Sequence, residues 1–258
     1  MSYEVQHDKE RALTIVGDPA AHQVVLDLPI RYGVGRTAED KQCICHEATF
    51  GEMISEGGIL AVKRVAADAE KDGENIVGGE IVAAGPTTHG GTFGNRAKKN
   101  MIANYVAMYD LDNGEPLQPV VDRAVELGYC VYIYTTFSHN KTVTFVSEQK
   151  IEGFFKRSKR KFEKYTDAVE AYLLEREKVS GEIAASLVID PTPIMTDGGQ
   201  HYKVEHAPWP KYRVIFPLEE PFKMAGVAGA TQLAQADKWA KDYESFGRRF
   251  GIDKFDKA

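Results

Sequence analysis

YVAMYDLDNGEPLQPVVDRAVELGYCVYIYTTFS, residues 105–138, decides the fold. YVAMYDLD reads as a strand, and Asn113-Gly114 ends it in a turn. PLQPVVDRAVELG (116–128) places Val120, Ala124 and Leu127 at helical spacing, and Gly128 suits the cap that follows a helix. YCVYIYTTFS (129–138) is rich in β-branched and aromatic residues and reads as a buried strand. The order strand, helix, strand predicts two parallel neighbours joined by a right-handed crossover. The fold class is therefore α/β, in its mixed α+β form.

Working outward, QVVLDLPI (23–30), GILAVKRVAA (58–67) and NIVGGEIVAAG (75–85) read as strands. EKDGEN (70–75) is a turn signal that makes a hairpin of the last two. THGGTFGN (88–95) reads as a loop, with phosphate contact as its functional alternative. Residues 150–186 read as one or two charged helices with an apolar stripe of Phe154, Phe155, Phe162, Tyr165, Val169 and Leu173. IDPTPIMTDGGQH (189–201) reads as a loop, and KYRVIFPL (211–218) as a short strand stopped by Pro217. GATQLAQADKWAKDYESFGRRFG (229–251) is an amphipathic helix.

The chain has 258 residues, 43% of them hydrophobic, enough for one sizeable core or a core domain carrying an insertion. No window approaches the roughly 18 apolar residues of a membrane span, so no membrane partner is expected. The N-terminus lacks an apolar signal core, which predicts a cytoplasmic protein. Three cysteines do not make a disulfide scaffold. Cys43, Cys45 and His46 form a CxCH cluster without a second ligand pair, and the cluster reads as structural. No GxxxxGK[ST] occurs, which excludes a Walker-type ATPase. The net charge of −6 speaks against a global field for nucleic acid. The charge is uneven, however: Lys156, Arg157, Lys159, Arg160 and Lys161 fall in one short run.

Asp110 and Asp112 are two residues apart at a strand end, so they share one face, with Cα atoms roughly 6–7 Å apart. Two bare carboxylates so placed repel each other. A hard divalent cation, Mg²⁺ or Mn²⁺, relieves that cost. Paired ions about 3.5–4 Å apart are the usual clamp for phosphoryl transfer. The plain alternative is a solvated strand end running into an Asp-Asn-Gly turn.

MYDLDNGEPL, followed by a helix and ELGYCVYIYTT, resembles haloacid-dehalogenase-type phosphohydrolases. In these the first aspartate is a nucleophile and the second an acid-base. The chain departs from them at Gly114, where that family has Thr or Val, and it has no later GDxxxD-like motif. A longer set of segments resembles the primase-polymerases of the archaeo-eukaryotic primase superfamily, closest to those of phages and plasmids. The segments are YDLDNG, YTTFSHN (134–140), KYRVIFPLEEPF (211–222) and FGIDKFD (250–256), in the family's order. Together they cover about residues 96–256.

The resemblance implies a mixed primase-type sheet with packed helices and a helical insertion. It also implies template-directed nucleotidyl transfer, as DNA primase and/or DNA polymerase, by a two-metal mechanism using Mg²⁺ or Mn²⁺. Asp110 and Asp112 match the first, metal-binding motif. Ser138 and His139 match part of the nucleotide-binding motif. Arg213 lies on the strand whose relatives often carry a histidine facing the triphosphate. Asp253 or Asp256 matches the third acidic position. The implied partners are single-stranded DNA template with primer, NTP or dNTP, and a replicative helicase. Arg96, Lys98 and Lys99 are candidates for template contact, and the basic run at 156–161 for a primer-template clamp. Each of these cations also has a plain reading as a solvated surface charge. By this reading residues 1–95 are an N-terminal part, 96–149 and 187–258 carry the motifs, and 150–186 are an insertion. Relatives join the SH segment to the arginine strand by a short connection, where roughly seventy residues intervene here. They also continue past the third motif, which suggests a piece of a longer replication protein. A non-catalytic nucleotide- or nucleic-acid-binding relative stays open beside the enzyme.

Overall fold

The computed structural model describes residues 19–37, 40–55, 57–60, 75–87, 91–136, 138–196 and 198–253. In chain order the elements are α1 (Pro19–Leu26), β1 (Pro29–Gly35), β2 (Gln42–Thr49), α2 (Phe50–Ile54), β3 (Asn75–Val77), β4 (Gly79–Ile81), β5 (Ala83–Pro86), β6 (Thr92–Asn95), β7 (Met101–Leu111), α3 (Gln118–Leu127) and β8 (Tyr132–Thr135). There follow β9 (Lys141–Ser147), α4 (Glu148–Ser158), α5 (Tyr165–Ala171), α6 (Gly181–Ala185), β10 (Val188–Ile189), β11 (Ile194–Thr196), β12 (Gly199–Trp209), β13 (Tyr212–Lys223) and α7 (Gln232–Arg249). Among the described residues no helix is long and apolar enough to cross a membrane.

The chain divides into two compact units. The first comprises residues up to Tyr109, Gln118–Tyr134 and everything from Arg213 on; the second comprises Asp110–Leu117 and Thr135–Tyr212. The first unit holds two sheets. One is antiparallel, ordered β3-β1-β2-β6-β5. The other is ordered β4-β7-β13-β8. The crossover expectation is corrected here, because β13 lies between β7 and β8, which are therefore not neighbours. β13 also runs through Pro217 to Lys223 instead of stopping there. Proline is tolerated where its missing N–H would face an unpaired edge. β8, with four residues against twelve in β13, leaves much of β13 unpaired on that side.

QVVLDLPI is corrected as well: α1 runs to Leu26 and β1 begins only at Pro29. Val25, Leu26 and Leu28 pack on a core of Ile30, Phe50, Met53, Val106, Tyr132 and Ile215. Packing of that kind overrides the strand preference of valine. NIVGGEIVAAG is broken into β3, β4 and β5, shared between the two sheets. Most of GILAVKRVAA and its turn lie outside the described residues. α3 and α7 form where expected. Val120 and Ala124 are buried, and Gly128 caps α3 at φ +71°. Thr231 caps α7 by accepting from the Ala234 amide at 3.2 Å.

The second unit is built on β12, with β9 on one edge and both β10 and β11 on the other, all antiparallel. The segment 189–201, expected as a loop, is instead a hairpin in which Thr196 pairs with Gly199. Residues 150–186 form three short helices and a π turn at Tyr172–Arg176. They cover the face of the sheet that carries Val146, Tyr202 and Val204. Ile151, Phe155, Val169, Leu173 and Ile183 complete that core. Burial of five such side chains stabilises by about 1.5–3 kcal/mol each before chain entropy is subtracted.

Candidate carboxylate site

β7 alternates at its end: Tyr109 and Leu111 are buried, while Asp110 and Asp112 are half-buried between and after them. Asp110 is thus the last outward-alternating residue of β7, and Asp112 follows just past the strand's end at Leu111. Beyond them the backbone is fixed within the second unit by three contacts. The Trp209 indole Nε1 donates to the Asp112 carbonyl at 2.9 Å. The Ser180 amide donates to the Asn113 carbonyl at 2.6 Å. The Glu115 amide donates to Asn113 Oδ1 at 3.3 Å, a side-chain-closed turn. Trp209 is 3% exposed, and His206 packs edge-on against it at 5.0 Å.

Gly114 completes the turn at φ +83°. A Cβ there would lie 2.7 Å from Ile183 Cγ1, 3.1 Å from Ser180 Oγ and 3.3 Å from Trp209 Cδ1. Glycine is therefore required twice over, by its dihedral and by the space. A β-branched residue, which the phosphohydrolase pattern places here, meets both obstacles.

Ser138 and His139 sit half-buried in a tight turn of the same unit. The His139 amide donates to the Thr136 carbonyl at 2.9 Å. Its ring Nδ1 lies 3.1 Å from the Lys211 amide, from which it can accept, and the ring packs on Tyr212 at 4.9 Å. One ring nitrogen is thus held by backbone. Arg213, half-buried at the start of β13, belongs to the first unit. Its Nη1 lies 3.4 Å from the Tyr134 hydroxyl. Asp253, also in the first unit, is exposed, and Asp256 lies outside the described residues. Arg96, Lys98 and Lys99 belong to the first unit, the latter two in a short 3₁₀ turn. Lys156, Arg157, Lys159, Arg160 and Lys161 are exposed in the second.

Two carboxylates two residues apart suit a hard divalent cation in donor type. Among the described residues no group of three or more His, Cys, Asp and Glu side chains is gathered as a metal site. The CxCH cluster is split by strand alternation. Cys43 is buried on one face of β2, and the His46 ring stacks on Tyr32 from the other at 5.3 Å. Burial raises the Cys43 and Cys130 thiols above their usual range, which keeps both protonated at neutral pH.

Trp209 and Ser180 are the neighbours of the carboxylate turn that sequence reasoning missed; in the first unit it also missed Tyr134, which faces Arg213. For Trp209 a signal existed: it is one of two tryptophans and sits between Pro208 and Pro210. Ser180 carries an N-cap signal for α6, where its hydroxyl accepts from the Ile183 amide at 3.4 Å, but its contact to Asn113 is backbone to backbone and has none. Comparison of the chain with family models, with curated proteins and with solved structures finds no match.

Proposed function

We propose that this chain catalyses template-directed nucleotidyl transfer, making or extending primers with NTP or dNTP on a single-stranded DNA template. The observation that carries the reading is the pair Asp110, at the end of β7, and Asp112, just beyond it, with the backbone of the following turn pinned by Trp209 and Ser180. Such pinning pre-organises charge, and pre-organised charge is the main contribution a protein makes to phosphoryl transfer. Asp110 and Asp112 would hold Mg²⁺ or Mn²⁺. Asp253 or Asp256 is proposed as the third acidic residue. The bound ion would activate the primer 3′-hydroxyl and stabilise departing pyrophosphate.

The remaining roles belong to the chain's own side chains. Arg213 would take phosphate oxygens of the incoming nucleotide, a charge-assisted contact. His139, with Nδ1 held by backbone, would present its other ring nitrogen to phosphate or ribose beside Ser138. The phosphohydrolase alternative is disfavoured by Gly114, where there is no space for Thr or Val.

The test is incorporation of labelled nucleotide on a single-stranded template with Mg²⁺ or Mn²⁺, read on a denaturing gel. Asp110→Asn and Asp112→Asn should each abolish product while leaving the circular dichroism spectrum unchanged. Product formation that survives either substitution removes this reading. A covalent aspartyl-phosphate on Asp110 would establish the phosphohydrolase instead.

A further inference from the structure

We infer that the second unit carries a groove for single-stranded nucleic acid beside the C-terminal half of α4. There the phosphates would meet Lys156 and Lys161, and a base would stack on Phe162. The groove has a volume of about 550 Å³, within the range of small-molecule sites.

The first observation is charge. From Lys156 to Lys164 six cations stand against the single acid Glu163, in a chain whose net charge is −6. Among the described residues only Arg160 of these cations enters an ion pair, with Glu175 at 2.9 Å. Basic residues in the last helical turn are ordinary complements of the helix dipole. That effect fades within a turn, whereas Lys159, Lys161 and Lys164 lie beyond the helix end.

A second observation is a conformational cost at one residue lining the groove and at another in the turn that leads from it. Gly153 sits inside α4 and lines the groove, where alanine would make the better helix. Lys159 caps α4 at φ +55°, a position that favours glycine or asparagine. Departures from local preference gather at working surfaces.

The aromatic floor is the third. Phe162 is half-buried, its ring 4.8 Å from both Phe155 and Tyr165. Arg160 closes one side, over the faces of Phe154 and Phe155 at 5.2 and 5.0 Å. Gln149 and Glu152 line the same groove. A carboxylate and an amide suit the amino and carbonyl edges of a base, and the carboxylate repels phosphate. The wall thus sorts base from backbone. An acidic peptide would bring like charge to Glu152 and, without aromatic side chains, nothing planar to stack on Phe162.

The inference deepens the nucleotidyl-transfer reading by seating the template strand. Its test is run in EDTA on the full chain carrying Asp110→Asn, so failure of the groove and failure of the metal chemistry give separate results. Binding of a labelled single-stranded oligonucleotide is followed by fluorescence anisotropy at several salt concentrations. The double variant Lys156→Glu/Lys161→Glu should weaken binding at least about tenfold. It should also lower the log–log salt slope by about 1.4, because each single-strand phosphate contact contributes about 0.7. Phe162→Leu keeps apolar volume in the core but removes the stack. It should weaken binding roughly tenfold with the salt slope unchanged. Wild-type affinity and slope in the double variant overturn the groove. A duplex that competes as well as the single strand overturns the stacked base, and equal competition by polyglutamate overturns the nucleic-acid assignment.

Discussion

Gly114→Ala is the sharpest perturbation of the carboxylate site, because two penalties can be worked separately. Holding alanine at φ +83° costs about 1–2 kcal/mol. The new Cβ would stand 2.7 Å from Ile183 Cγ1, and Ile183 is 1% exposed, so it has nowhere to swing. Overpacking of that kind costs about 1–3 kcal/mol. The sum is about 2–5 kcal/mol. With a urea slope of about 3 kcal/mol per M, the unfolding midpoint of the second unit should fall by about 1 M. Trp209 fluorescence, read in a Trp239→Phe background because Trp239 lies in the first unit, reports on that unit. Gly199→Ala is the control: it lies in the same unit at φ +96°, and a Cβ added there would meet nothing within 4 Å. It should show the dihedral penalty alone, so the difference between the two variants measures the clash. Incorporation should fall with Gly114→Ala beyond its effect on folding, since displacing a reacting group by about 1 Å can cost a hundredfold. Equal midpoints for Gly114→Ala and Gly199→Ala would show that Ser180, Ile183 and Trp209 do not enclose the turn, and the positioning argument would fail.

Three further outcomes are expected. Trp209→Phe removes the indole donor to Asp112 and roughly 40 Å³ of buried volume, a loss of about 2 kcal/mol in urea unfolding; a stability equal to wild type would mean the contact is idle. Burial pushes the Tyr132 phenol up to about 12 and raises Tyr109 as well, Tyr109 also facing Tyr243. Because both are raised, their stabilisation is complete below the ordinary value of 10.0 and is lost as pH climbs toward 12, so the first unit's urea midpoint should fall across that window. A flat profile there would contradict the burial. Lys159→Gly relieves the left-handed cap and should raise stability by about 1 kcal/mol while weakening single-strand binding; unchanged binding would separate the cap from the groove.

Local rules reached the elements whose signals are local. α3 shows its period in Val120 and Ala124 and its end in Gly128, all within ten residues. The burial of Tyr109 and Leu111 on either side of half-buried Asp110 follows from strand alternation alone. What escaped is non-local. Nothing in YVAMYDLD or YCVYIYTTFS announces that β13, some eighty residues further on, will part β7 from β8. QVVLDLPI has strand composition, yet its helix is selected by Phe50 and Met53, which it meets only after folding. At the site the carboxylates were legible, but their supports were not. Ser180 holds Asn113 through its amide, a group every residue but proline possesses, so that contact leaves no trace in composition.

The sheet order also bears on the sequence of folding events. β8 and β13 are strand neighbours in the first unit, yet the chain leaves after Tyr134 and returns only at Arg213. Closing a flexible loop of roughly seventy-five residues carries an entropy cost that grows with the logarithm of its length. The second unit shortens that loop in advance. The Thr136 amide bonds to the Lys211 carbonyl at 3.1 Å and the Asn140 amide to the Trp209 carbonyl at 2.9 Å, so its two exits lie side by side. A second unit that folds first delivers β8 and β13 to each other as near neighbours. Slowed closure of the β7-β13-β8 sheet is then the kinetic signature of any lesion at β9 or β12, even one that leaves every residue of the first unit untouched.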